Sequence, residues 1–164
     1  MHRTFMIFLA ATFAAPIGAW AHGEAKQEAK TRKSAILAEE KSFGREGDPG
    51  KVSRTIAVDM GDTLRFAPGE ISVKHGETIR FVVKNSGKLM HEMVLGTIAE
   101  LKEHAQLMQK HPEMEHDEPY MAHVQPGKSA DMVWQFTKTG EFHYGCLVPG
   151  HFEAGMIGKI VVRR

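Results

Sequence analysis

Cys146, His151 and Met156 lie at five-residue intervals in the run Cys146-Leu147-Val148-Pro149-Gly150-His151-Phe152-Glu153-Ala154-Gly155-Met156. A thiolate, an imidazole and a thioether in one loop form a soft donor set, and sulfur donors of this kind select copper over harder ions. A plane of one thiolate and two imidazoles, with a long thioether contact on its axis, suits both Cu(I) and Cu(II) and so supports one-electron chemistry. The loop offers three of those four donors, so a second histidine must come from upstream. His91 is the candidate, because it opens the strand-like run to Leu95 just after the turn Asn85-Ser86-Gly87-Lys88. Zinc would accept the cysteine and two histidines, but a methionine ligand argues for copper. Pro149 fixes φ, and Gly150 and Gly155 permit turns that other residues resist.

Cys146 is the only cysteine in the chain. The N-terminus supplies a reason to ask how it is tolerated. Residues 1–21 carry Arg3, an apolar run from Phe5 to Ala15, and the ending Ala19-Trp20-Ala21. Such a segment reads as a secretory signal peptide: the apolar run is shorter than the ~20 residues of a membrane span, and the ending is a cleavage pattern. The expected compartment is the periplasm, with no stable membrane span after cleavage. A lone thiol there forms no internal disulfide and oxidises readily if exposed, so a metal-ligand role best accounts for it. The formal net charge of the whole chain is +1, and loss of Arg3 leaves it neutral. A neutral chain lacks the basic surface that a nucleic-acid partner requires.

The elements that must position these donors follow from the hydropathy pattern. Residues 22–51 are rich in Ala, Lys and Glu and end in a Gly/Pro cluster, which predicts a flexible polar extension. From residue 52 to 164 the pattern changes to short alternating runs separated by turn residues. Strands are expected over 52–60, 71–74, 78–84, 90–95, 130–136, 141–146 and 156–162, with Phe66-Ala67-Pro68-Gly69 as a turn. Between them, 97–110 has helical spacing, with Ile98, Leu101, Ala105 and Met108 on one face. The reading is a single all-β sandwich domain with a short helical insertion.

His91 together with Cys146, His151 and Met156 resembles the ligand pattern of the cupredoxins, the small type 1 copper proteins. Phe142-His143-Tyr144-Gly145-Cys146 is similar to the aromatic-rich strand that carries the cysteine in that family. The likeness covers about 52–164 and is nearest to exported bacterial cupredoxins associated with copper tolerance, which have a long N-terminal extension and a Met/His-rich insertion. It implies a Greek-key sandwich and one type 1 copper held by His91, Cys146, His151 and Met156. One departure stands out. Many cupredoxins have Asn directly after the upstream ligand histidine, where it ties the two ligand segments together; here the residue is Glu92.

The insertion holds His104, Met108, His111, Met114, His116, Met121 and His123, and Met90 and Met93 flank His91. These donors are candidates for additional weak copper, as are the imidazole and free amine of His22 if cleavage follows Ala21. The bland reading of the same residues is a solvated helix and loop whose methionines pack on the sandwich. His75 and His143 read as structural or surface residues. Gly127-Lys128-Ser129 lacks the upstream glycine of a phosphate loop, and His91-Glu92 lacks the second histidine of a zinc-protease helix. With one complete ligand set the chain reads as a copper-binding protein rather than an enzyme. Two roles fit it: copper handling for tolerance, and one-electron transfer to a redox partner protein.

Overall fold

A computed structural model describes residues 39–114 and 116–164. The segment read as a signal peptide, His22 and the extension up to residue 38 lie outside the described residues.

Among the described residues, ten strands form two five-stranded sheets. The first sheet contains β1 (Arg45–Glu46), β2 (Arg54–Gly61), β3 (Arg65–Ala67), β5 (Thr78–Asn85) and β8 (Ser129–Gln135), in the order β1-β8-β5-β2-β3. The second contains β4 (Glu70–Lys74), β6 (His91–Gly96), β7 (Met121–Val124), β9 (Gly140–Gly145) and β10 (Ile157–Arg163), in the order β4-β10-β9-β6-β7. The chain crosses between sheets repeatedly, so β2 pairs β5 and β4 pairs β10 in parallel, while β9 and β10 are antiparallel.

Alternation places one face of each strand inward. Ile79, Phe81 and Val83 of β5, Met132 and Trp134 of β8, Phe142 and Tyr144 of β9, and Ile160 and Val162 of β10 meet in one core. Gly158 is required there, since a Cβ on it would lie 2.1 Å from Tyr144 Cζ. The Tyr144 hydroxyl donates to Pro68 O at 2.6 Å, which satisfies the one polar atom of that buried ring.

The helix α1 (Ile98–Lys110) follows β6 directly. Thr97 and Glu100 form a reciprocal capping box at its start, which satisfies two of the free N–H groups there. Leu101 and Ala105 are buried against Val94 and Leu147, with Met108 packed beside them. Ile98, expected on that face, is 46% exposed because it sits in the first turn, beyond the edge of the contact.

Three strands were not legible in the sequence. β3 occupies part of the segment read as a turn, and Phe66 within it is buried against the Tyr144 ring. β7 pairs with β6 and so makes β6 an interior strand. β1 lies within the segment read as a polar extension, and it pairs Arg45 and Glu46 with Gln135 and Trp134 of β8. The reason is Phe43, 4% exposed, which stacks on Trp134 at 5.1 Å between ring centroids. Trp134 Nε1 donates to Phe43 O at 3.1 Å, so the attachment is polar as well as apolar. The packed fold therefore takes in residues from 41 onward, where the sequence pattern changes only at 52.

Candidate metal centre

The upstream half of the site is built by the segment between β5 and β6. Asn85, fully buried, donates from Nδ2 to Leu89 O and Val124 O, both at 2.8 Å, and accepts from Gly87 N at 2.9 Å. Asp62 accepts from Lys88 N at 2.9 Å and Leu89 N at 3.2 Å. Those backbone donors, Lys88 and Leu89 together, hold the Asp62 carboxyl below its ordinary range. Gly87 lets the two segments approach, since a Cβ there would stand 2.2 Å from Asp62 Oδ1. The short connection is clamped from both sides, and it delivers His91 to the start of β6 with no exposed surface. His91 is thus not the exposed edge-strand histidine that its position alone would permit.

The downstream half is the turn between β9 and β10. Cys146 N donates to Met156 O at 3.1 Å and Met156 N donates to His151 O at 3.0 Å, so the loop is closed by its own backbone at the donor residues. Gly150 and Gly155 have φ of +86° and +89°, which L side chains resist. Arg65 Nη1 donates to Ala154 O at 2.9 Å and anchors the loop to β3.

These two halves bring His91, Cys146 and His151 together, with donor atoms all within 4.8 Å of one another. Both imidazoles turn Nδ1 to the sulfur: His151 Nδ1 is 3.3 Å and His91 Nδ1 4.0 Å from Cys146 Sγ. A first-row ion with bonds of about 2.0 Å to nitrogen and about 2.3 Å to thiolate, at trigonal angles, would separate N from S by about 3.7 Å. The observed distances bracket that value. Met156 is fully buried at the end of the same loop. On the far side of His91, Nε2 is buried without a hydrogen-bond partner and faces Asp62 Oδ1 at 3.6 Å. A carboxylate behind a ligand imidazole is the usual way such a ring is oriented.

Burial pushes the Cys146 thiol up to about 12, against a smaller opposing effect of the N–H groups of Glu92 and Val148. Burial first, and His91 second, push His151 below its ordinary value. His151 is thereby kept in the neutral form whose lone pair binds metals.

Glu92 resolves the departure noted in the sequence. Its side chain is 4% exposed, Oε1 accepts from Leu147 N at 2.8 Å, and its own N–H points to Cys146 Sγ at 3.5 Å. A carboxylate therefore does the work expected of an asparagine amide, tying the His91 segment to the Cys146 segment. Oε2 does something an amide would not: it pairs with His123 Nδ1 on β7 at 3.0 Å. Neither Glu92's tie nor the role of Asp62 carries a motif. The only sequence signal for Glu92 is an acidic residue beside a ligand histidine in an otherwise apolar strand.

Of the other histidines, His75 Nε2 contacts Thr137 O at 2.9 Å and His143 lies 3.6 Å from Glu141, both away from the cluster. Among the described residues, no helix is long and apolar enough to cross a membrane.

A two-sheet sandwich with a buried thiol facing two imidazoles at one end defines the cupredoxin class. The profile of the plastocyanin/azurin family of copper-binding proteins matches residues 52–163, and the chain belongs to that family. A relative from Rubrivivax gelatinosus, the copper-resistant cuproprotein CopI, is 55% identical over 121 residues, covering 74% of this chain and 73% of the relative. The protein of the same name from Pseudomonas aeruginosa is 36% identical over 151 residues, covering 74% of this chain and 83% of the relative. Among solved structures, auracyanin B superimposes with a TM-score of 0.61 at 21% identity, over 76% of this chain and 97% of that one, which speaks for the fold alone. Copper is the family's metal, and the donor set found here fits it.

Proposed function

We propose that this chain is an exported copper-handling cupredoxin that protects the periplasm against excess copper, holding one type 1 copper through His91, Cys146, His151 and Met156. The observation that carries the ligand set is the facing of two imidazole Nδ1 atoms on one buried thiol, across a gap of metal-ligand size. When bound, copper supplies one-electron chemistry between Cu(I) and Cu(II). The chain's residues do the rest. Asn85 and Asp62 hold His91 in place, Glu92 fixes the spacing between the two ligand segments, and the buried core excludes water from the thiol. Met156, a soft donor, favours Cu(I). Tolerance is supported by the two relatives named copper-resistant cuproproteins, and export by the signal-like residues 1–21.

The second reading is a dedicated electron carrier. It draws on His151, which is only partly buried and so brings one ligand ring near the surface. Neither reading makes the chain an enzyme. Two measurements test the proposal. The Cu(II) protein should show an intense visible thiolate-to-copper band that Cys146→Ser abolishes; a band surviving that substitution would refute the ligand set. A strain lacking the gene should grow normally at ordinary copper and fail selectively in excess copper. A respiratory defect at ordinary copper would instead favour the carrier.

A further inference from the structure

Asp62 and Arg65 anchor opposite halves of the metal centre from one hairpin. Residues 62–64 join β2 to β3, with Gly61 opposite Arg65 in register and Leu64 N donating to Gly61 O at 2.9 Å. A three-residue connection of this kind ends on a residue in the left-handed region, a place that glycine usually fills. Here it is Leu64, with φ of +55°, and its half-buried side chain packs against the sandwich core. Such a backbone persists only where its surroundings over-determine it, and it gathers at functional sites. The turn is thus held in one shape, and Asp62 and Arg65 project from a fixed base.

Each of these side chains lies where a ligand segment has a glycine. A Cβ on Gly87 would stand 2.2 Å from Asp62 Oδ1, and one on Gly155 3.4 Å from Arg65 Nη1. On the upstream side Asp62 Oδ1 accepts from Lys88 N and Leu89 N and faces His91 Nε2 at 3.6 Å. That nitrogen is buried and, among the described residues, has no hydrogen-bond partner. The contact is longer than a hydrogen bond and acts through charge. A carboxylate behind the ring favours the tautomer with its proton on Nε2, which leaves the Nδ1 lone pair towards Cys146 Sγ. On the downstream side Arg65 Nη1 donates to Leu64 O at 2.7 Å and to Ala154 O at 2.9 Å. Ala154 lies two residues before Met156, whose N–H closes the loop on His151 O.

We propose that the β2–β3 turn is a positioning bracket that sets the redox poise of the copper centre: Asp62 fixes the tautomer of His91 and lends it negative charge, and Arg65 holds the end of the loop that carries Met156. The inference rests on the type 1 ligand set and adds two positioning residues to it. Their effects on the couple are opposite in sign. Negative charge behind an imidazole donor stabilises the more positive ion, Cu(II), whereas a firmly held thioether favours Cu(I).

The test compares Asp62→Asn and Arg65→Met with wild type in the full mature chain. In the metal-free wild type, nitrogen-15 NMR of the His91 ring should show the proton on Nε2; a proton on Nδ1 overturns the role of Asp62. Asp62→Asn keeps an oxygen for Lys88 N and Leu89 N. It should shift the preference of the site about tenfold from Cu(II) towards Cu(I), a rise in potential of about 59 mV for a one-electron couple. Arg65→Met keeps an apolar stem over Gly155 but loses the donors. Amide exchange at Met156 and Cys146 in the metal-free chain should speed up about tenfold, and the potential should fall. A potential that does not rise in Asp62→Asn overturns the proposal. Unchanged exchange in Arg65→Met, or a potential that does not fall, overturns it as well, because Arg65 would then be only a surface cation. A wild type without the thiolate-to-copper band would instead refute the ligand set, while the two metal-free measurements still decide the bracket.

Discussion

Replacing Glu92 by alanine isolates the contact on which the two ligand segments depend. In the folded protein Oε1 accepts from the buried Leu147 N at 2.8 Å, and Oε2 pairs with His123 Nδ1 at 3.0 Å. Leaving a buried N–H unsatisfied costs about 1–3 kcal/mol, towards the upper end when the lost acceptor was charged. The His123 contact adds less than about 1 kcal/mol, because that side chain is 32% exposed and the pair is partly screened. A loss of about 3 kcal/mol follows, which for a domain of this size lowers the unfolding midpoint by roughly 10 °C. Glu92→Gln keeps an oxygen for Leu147 N and should lose only about 1 kcal/mol. Copper affinity should fall by roughly 10–100-fold in the alanine variant, the usual cost of removing a group that orients ligands. Thermal unfolding of the metal-free protein followed by circular dichroism, and Cu(II) competition with a chelator, measure the two effects. The reasoning fails if Glu92→Ala stays within about 0.5 kcal/mol of wild type, or if Glu92→Gln is equally damaging. The second result would place the effect in the charge rather than in the tie to Leu147.

Two other outcomes are expected. Phe43→Ala should cost about 3–5 kcal/mol, because it empties a buried aromatic site against Trp134 and Tyr120; denaturant unfolding showing a loss under about 1 kcal/mol would mean that the segment before residue 52 is not part of the core. In the metal-free protein the Cys146 thiol, pushed up to about 12, should alkylate more than about a hundredfold slower at neutral pH than a free cysteine of pKa about 8.5. Its rate should keep rising through pH 10, and a plateau near pH 9 would show an unperturbed thiol.

The legible and illegible parts of this chain divide along physical lines. Cys146, His151 and Met156 could be read because their chemistry is carried by residue type and short spacing. His91 needed the extra assumption that a strand start lies beside the loop, and the clamp by Asn85 and Asp62 is what makes it true. The strands with strong alternation were visible to within a residue or two. β1, β3 and β7 were not, because each is short and weakly patterned: β1 holds no apolar residue, β3 one buried apolar side chain, Phe66, and β7 two, Ala122 and Val124. Phe43 illustrates the point: one ring fixes a segment whose composition otherwise predicts a tail. Glu92 was read as a departure because sequence reports the missing amide but not the carboxylate geometry that replaces it.

The ligand loop is, topologically, a turn between two adjacent strands whose register is fixed from Ile157 opposite Gly145 to Val162 opposite Gly140. Closing a turn costs free energy that grows only slowly with its length. Residues can therefore be gained or lost between Cys146 and Met156 without disturbing the pairing that holds the sandwich together. The tuning of the metal and the durability of the scaffold become separately heritable traits. A lineage can change what its copper does by trimming one hairpin, while every strand keeps its neighbour.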